Sequence, residues 1–136
     1  MVKRWGIWGI ASLLFLFFNP MASAFAVENA GPSQAALKKD FEQSFAQMMA
    51  DPGDVDLAIH YSSTAEALGN YEAAIPPLER LLMFNPDLPD IKLKLGILYH
   101  KLGSNDVART YFEGAMKGKN VSQHVISEAK SYLKKI

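Results

Sequence analysis

Apolar residues along the chain recur at helical steps. Leu37, Phe41, Phe45 and Met48 are spaced three or four apart, which places them on one side of an α-helix. Ser33 stands just ahead, where its hydroxyl can cap early amides, and Asp51-Pro52-Gly53-Asp54 closes the segment. A helix with a packed apolar face is therefore expected over about 33–50. The same reading places helices near 54–68, 71–84, 88–102 and 105–117, and a last one over about 121–135. In that last helix Val125, Ile126, Ala129, Tyr132, Leu133 and Ile136 form one stripe. Lys130, Lys134 and Lys135 fall off it, near the C-terminal end where positive charge suits the helix dipole. No segment shows the period-two alternation of a strand, so the expected fold class is all-α. Pro76-Pro77 lie inside the 71–84 segment, where each lacks an amide donor and crowds the preceding turn. That helix is expected to begin late or to bend.

The chain also matches itself at one offset. Gly69 recurs as Gly103, Leu68 as Leu102, Ala74 as Ala108, Asp56 as Asp90 and Glu79 as Glu113, each pair 34 residues apart. Leu57 with Ile91, Ile59 with Leu93 and Leu78 with Phe112 are similar pairs at the same distance. The second copy carries Leu95-Gly96, Tyr99, Gly103, Ala108, Phe112 and Ala115; the first carries Tyr61, Ser62, Ala65, Gly69, Tyr71, Ala74, Leu78, Leu81 and Pro86. Each type has a packing reason. Gly96, Ala74, Ala108 and Ala115 let antiparallel helices approach, Tyr99, Leu78 and Phe112 fill the space between pairs, Gly69 and Gly103 suit the left-handed residue that ends a helix, and Pro86 stops one.

In period and in these positions the chain resembles the tetratricopeptide-repeat (TPR) family. The resemblance implies a short α-α solenoid over 33–136, with repeats at about 55–88 and 89–122 and a capping helix over about 121–135. The opening helix would take the second-helix slot of a partial repeat, since Pro52 lies 34 residues before Pro86. One repeat cannot bury its apolar face alone, so the units must stack. By the family's pattern the first helices line a concave wall, which on this chain picks out Asp56, Ile59, His60, Ser63, Asp90, Lys94, Ile97 and Lys101. Such a mixed groove suits an extended or helical peptide from a partner protein, and Ile97→Asp is expected to abolish its capture. The family's clamp for C-terminal carboxylates is not expected, because Ile59 and Ser63 stand where its first Lys/Asn pair would be. The ending Val125, Ala129, Tyr132-Leu133 is also similar to the N-terminal repeat domains of bacterial surface lipoprotein assembly modifiers, which implies a role in the cell envelope.

Ahead of the repeats, residues 1–4 carry the positive charges of Lys3 and Arg4, residues 5–18 form an apolar run, and Asn19-Pro20 precede the small residues around Ala22, Ala24 and Ala26. This is the three-part layout of a secretory signal. It implies a signal peptide over 1–26 and a linker over 27–32, with cleavage after Ala26 or, alternatively, Ala24. The apolar run is shorter than the roughly 20 residues a spanning helix needs, leaving an uncleaved inner-membrane anchor as the minor alternative. A periplasmic or secreted product is expected.

Composition narrows the function. Fourteen Lys and Arg balance 14 Asp and Glu; removal of Lys3 and Arg4 with the signal would leave 12 bases against those 14 acids, a net charge near −2. That balance does not suit nucleic acid, which calls for a concentrated basic face. With no cysteine, disulfides, thiolate metal sites and a lipidated N-terminus are excluded. His60, His100 and His124 are not at metal-site spacing on a helix. No nucleophile elbow, phosphate loop or dinucleotide fingerprint occurs, and Asp54/Asp56 and Asp87/Asp90 stand at helix starts where they offset the dipole. The expectation is a non-enzymatic protein-binding module with no cofactor and no small-molecule substrate, an adaptor or assembly factor in the cell envelope. The alternative is a structural or weakly self-associating subunit.

Overall fold

The helices begin where short polar side chains can hold their first amides. In a computed structural model that describes residues 31–136, Ser33 Oγ accepts from Ala36 N at 3.2 Å and opens α1 (Gln34–Ala50). Asp54 does the same for α2 (Val55–Ala67) through Leu57 N at 3.0 Å, and Asn70 for α3 (Tyr71–Phe84) through Ala73 N at 3.2 Å. Proline opens α4 (Pro89–Lys101), where its missing N–H costs nothing. α5 (Asn105–Met116) and α6 (Gln123–Leu133) follow, the latter capped by Ser122. Among the described residues there are six helices and no strand. The α6 boundaries are shorter than the sequence reading at both ends, because Asn120 takes a left-handed φ of 54° and Ser122 then sets the cap.

α2 and α4 end in the same way. Gly69 and Gly103 have φ of 74° and 76°. The glycine N–H bonds back to Glu66 O or His100 O, and the next N–H to Ala65 O or Tyr99 O. These paired bonds are the Schellman closure, which needs a residue free to turn left-handed. Each glycine delivers the chain straight into an antiparallel return helix.

Pro76 and Pro77 do not delay α3, which begins at Tyr71 and continues through both. The carbonyls that would have received their N–H groups, on Glu72 and Ala73, belong to an exposed and a half-buried residue in the first turn, where water can take the bond.

Packing follows the repeat. α2 lies on α3 and α4 on α5, while α1 lies on α2, α3 on α4 and α5 on α6. Residues Pro32–Ile136 form one unit. Its core has two clusters that are copies of each other. The first includes Ala74, Leu78, Leu81, Ile91 and Leu95, the second Ala108, Phe112, Ala115, Val125 and Ala129, each residue of one lying 34 positions from its counterpart in the other. Thus α6 takes the place that α4 takes one unit earlier, and the solenoid continues regularly into its last helix. Gly96 permits the closest approach: a Cβ there would lie 2.6 Å from two ring carbons of Phe112.

Candidate functional site

Successive first helices lie side by side, and the polar contacts between α2 and α4 identify their shared wall. Lys94 Nζ donates to Ser63 Oγ at 3.1 Å and to Glu66 Oε2 at 3.0 Å, while Lys101 Nζ donates to Glu66 Oε1 at 2.9 Å. Lys94 and Lys101 are two turns apart on one helix, so a single carboxylate ties both to the neighbouring repeat. Lys101 also lies over the Tyr71 ring, 4.9 Å from its centre. Partial burial disfavours the charged form of Glu66, but the hydrogen bonds and charges of Lys101 and Lys94 outweigh it and hold the carboxyl below its usual range. The hydrogen bond that Lys101 donates to Glu66 in turn raises the Lys101 pKa.

The eight residues chosen from the sequence divide into four sets. Ser63, Lys94 and Lys101 are brought together through Glu66. Ile59 and Ile97 are half-buried, Ile59 against the first core cluster and Ile97 against the second, so Ile97→Asp would loosen packing as well as alter the wall. Asp56 and Asp90 are exposed in the first turns of α2 and α4, at the opposite end of the wall from Lys101. His60 turns toward α1, its Nε2 3.1 Å from Asp40 Oδ1. Asp40 Oδ2 also accepts from Thr64 Oγ1 at 3.1 Å. The wall therefore runs from two exposed carboxylates at the helix starts, past Lys94 and two half-buried isoleucines, to Lys101 and Glu66 paired at the helix ends.

Glu66 was missed, although Ile59, Ser63 and Glu66 share one helical face and Glu66 lies 28 and 35 residues before the two lysines, on either side of the 34-residue period. The other overlooked carboxylate is Glu79. Its Oε1 accepts from Tyr99 Oη at 2.8 Å and from Tyr111 Oη at 3.0 Å, with the two rings stacked 5.5 Å apart. Burial and then the Glu79 bond push Tyr99 up to about 12 and raise Tyr111 as well. This group pins α3, α4 and α5 together rather than facing a ligand.

Among the described residues no three His, Asp or Glu side chains converge as a metal site would require. Among them, too, no helix is long and apolar enough to cross a membrane. The stretch read as a secretion signal lies outside the described residues.

Comparison with known proteins agrees with this architecture. A tetratricopeptide repeat family model matches residues 89–117, the α4–α5 pair. No curated protein matches significantly. Among solved structures, the crystal structure of PcrH from Pseudomonas aeruginosa is similar with a TM-score of 0.56 at 17% identity, covering 77% of this chain and 94% of that one. A structure of PcrH in complex with the chaperone binding region of PopB is similar with a TM-score of 0.53 at 17% identity, covering 79% of this chain and 100% of that one. The helix order, the duplicated core and these likenesses together make the fold of this chain an all-α solenoid of the tetratricopeptide type.

Proposed function

We propose that this chain is an exported module that holds a segment of a partner protein along the α2–α4 wall, acting as an adaptor or assembly factor in the periplasm and carrying out no reaction itself. The observation that carries the reading is the mixed wall: Asp56 and Asp90 at one end, Ile59, Lys94 and Ile97 along the middle, and Lys101, paired like Lys94 with Glu66, at the other. A bound segment could lay apolar side chains on the isoleucines while its charges select a direction. PcrH, a solenoid of similar fold, has been seen with a segment of another protein, which supports protein binding as the use of this scaffold. Export is supported by the basic, apolar and small-residue layout of residues 1–26. The likeness to the repeat domains of lipoprotein assembly modifiers points to the envelope.

The test uses a photoreactive amino acid at Lys101 or Ile97, and as control at exposed Glu113 on α5, in cells expressing the full chain. Crosslinks to one defined protein from the first two positions, absent from the third and lost on Lys94→Glu, are expected. Equal capture from all three positions would count against the groove. N-terminal sequencing of the exported form checks the signal: a chain beginning at Val27 is expected, or at Phe25 for the alternative cut, whereas an intact N-terminus would show a retained anchor.

A second reading, a subunit that stacks on copies of itself, is favoured by Phe45 and Met49 on α1, which are 47% and 54% exposed. Light scattering separates the two: a concentration-independent monomer removes the self-stacking reading.

A further inference from the structure

The solenoid carries a second recess, beside the acidic end of the α2–α4 wall, at the edge where second helices hand over to first ones. Gly53 and Val55 from the α1–α2 turn, Leu81 and Phe84 from the end of α3, and Asn85 and Leu88 from the α3–α4 turn enclose about 300 Å³. That is twice the roughly 150 Å³ of an apolar cavity that accepts benzene. Its lip is apolar and in water: Phe84 is 77% exposed, neighbouring Met83 83% and Val55 43%. The core uses neither Met83 nor Phe84, and the sequence reading gave them no role.

Within the two segments that supply the lining, 51–60 and 81–91, the charged side chains are all aspartates, while Arg80 and Lys92 lie just outside them in the chain and Lys119 beside Asp87. Asp51, Asp54 and Asp56 flank Gly53 and Val55, and Asp87 and Asp90 flank Leu88. No lysine or arginine occurs from residue 51 to 60 or from 81 to 91. Asp54 is held as the α2 cap and Asp87 Oδ1 by Lys119 N at 3.2 Å, so both carboxylates are held in place on residues adjacent in the chain to the lining residues Gly53, Val55 and Leu88.

We propose that this recess binds a peptide segment of a partner protein in which one bulky apolar side chain is flanked by basic residues, the side chain entering between Val55, Leu81, Phe84 and Leu88 and the basic residues meeting the aspartates. Charge complementarity decides the occupant. The same edge of a second copy would bring aspartates against aspartates and be repelled. The chain's own apolar, lysine-bearing end is already engaged, since Ile136 packs on the second core cluster and its carbonyl oxygen accepts from Arg109 Nη2 at 2.7 Å. The recess shares Asp56 and Asp90 with the acidic end of the α2–α4 wall, but its apolar lining and Asp51, Asp54 and Asp87 are its own.

Fluorescence anisotropy tests it, with a fluorescein-labelled synthetic peptide carrying a central phenylalanine between lysine pairs in a serine background. Two control peptides replace the lysines by glutamate or the phenylalanine by serine. The lysine–phenylalanine peptide is expected to bind the purified protein more weakly as salt rises, and the controls not to bind. Affinity should fall about tenfold or more in Phe84→Ser and in the double variant Asp54→Asn/Asp87→Asn. Phe84→Ser changes an exposed side chain, and asparagine preserves the cap and the hydrogen bond to the α5–α6 turn while removing charge. Glu113→Gln, at an exposed position on α5, should leave binding unchanged. Failure of the lysine–phenylalanine peptide to bind, equal binding of the glutamate peptide, indifference to both recess variants, or loss in Glu113→Gln would each overturn the proposal. So would a wild-type oligomer in sedimentation that Phe84→Ser dissolves, which would give the recess to a second copy.

Discussion

Gly96 and Ser62 occupy equivalent places 34 residues apart, and each constrains its helix pair differently. At Gly96 an added methyl would meet the ring of Phe112, a side chain with no exposure and so no room to withdraw. Alanine offers about 1 kcal/mol of helix propensity over glycine, but overpacking a fixed core costs about 1–3 kcal/mol or more. Gly96→Ala is expected to destabilise the chain, read as a lower urea midpoint at an unchanged slope. At Ser62 the space exists but the chemistry is poor: Oγ is buried and has no hydrogen-bond partner. Ser62→Ala is expected to raise stability by about 1 kcal/mol, measured by the same unfolding curves; a loss would mean that the hydroxyl is satisfied. The period was enough to mark both positions as small. It could not show that the hydroxyl would be stranded, because that depends on which neighbours turn toward it.

Among the elements, α1 departs most from its sequence reading. Counting back one period, Asp40 falls in the slot of Ala74 and Ala108, and Ser44 in the slot that Leu78 and Phe112 fill. Ser44 is 1% exposed and donates to Phe41 O at 3.0 Å, while Asp40 bonds His60 and Thr64. The apolar contribution comes instead from Phe41, stacked 4.9 Å from Tyr61, and from buried Met48. Phe45, expected in the core, is 47% exposed. Its period was correctly read, but period alone gives a face and not its width, and among the described residues α1 packs mainly on α2. With a serine where its counterparts place leucine and phenylalanine, the α1 layer buries less apolar area and opens most readily. Limited proteolysis under native conditions should therefore cut within α1 before α3, α4 or α5; first cuts inside α4 would contradict this. The starts and stops of α2 and α4 were legible because Asp54, Pro89, Gly69 and Gly103 act through local backbone chemistry. The recess at Phe84 was not, since its walls come from three segments and its lip looks in sequence like an ordinary helix end.

For the whole molecule, the polar groups that tie unit to unit give stability a pH profile. The Glu66 carboxyl is lowered from its ordinary 4.5 by its two lysines against the opposing effect of burial, so its contribution is complete above that value and is lost as pH falls through the lowered one. Tyr99, raised from 10.0 to about 12, behaves in the opposite sense: its bond to Glu79 contributes fully below pH 10 and is lost as pH climbs toward 12. Tyr111 and Lys101 are also raised and add to the alkaline loss. The expected melting profile is flat between these limits and falls on both sides, with Glu66→Gln removing part of the acid fall and Tyr99→Phe part of the alkaline one. A wild-type profile unaltered by either substitution would show that these links contribute little between units.

The central claim is that a partner segment lies along the wall shared by α2 and α4, and hydrogen–deuterium exchange of the protein with and without its captured partner tests it most directly. Added protection is expected in Asp56 to Glu66 and in Asp90 to Lys101, with α5 unchanged. Protection confined to α3 and α5, or spread evenly over all six helices, would contradict it.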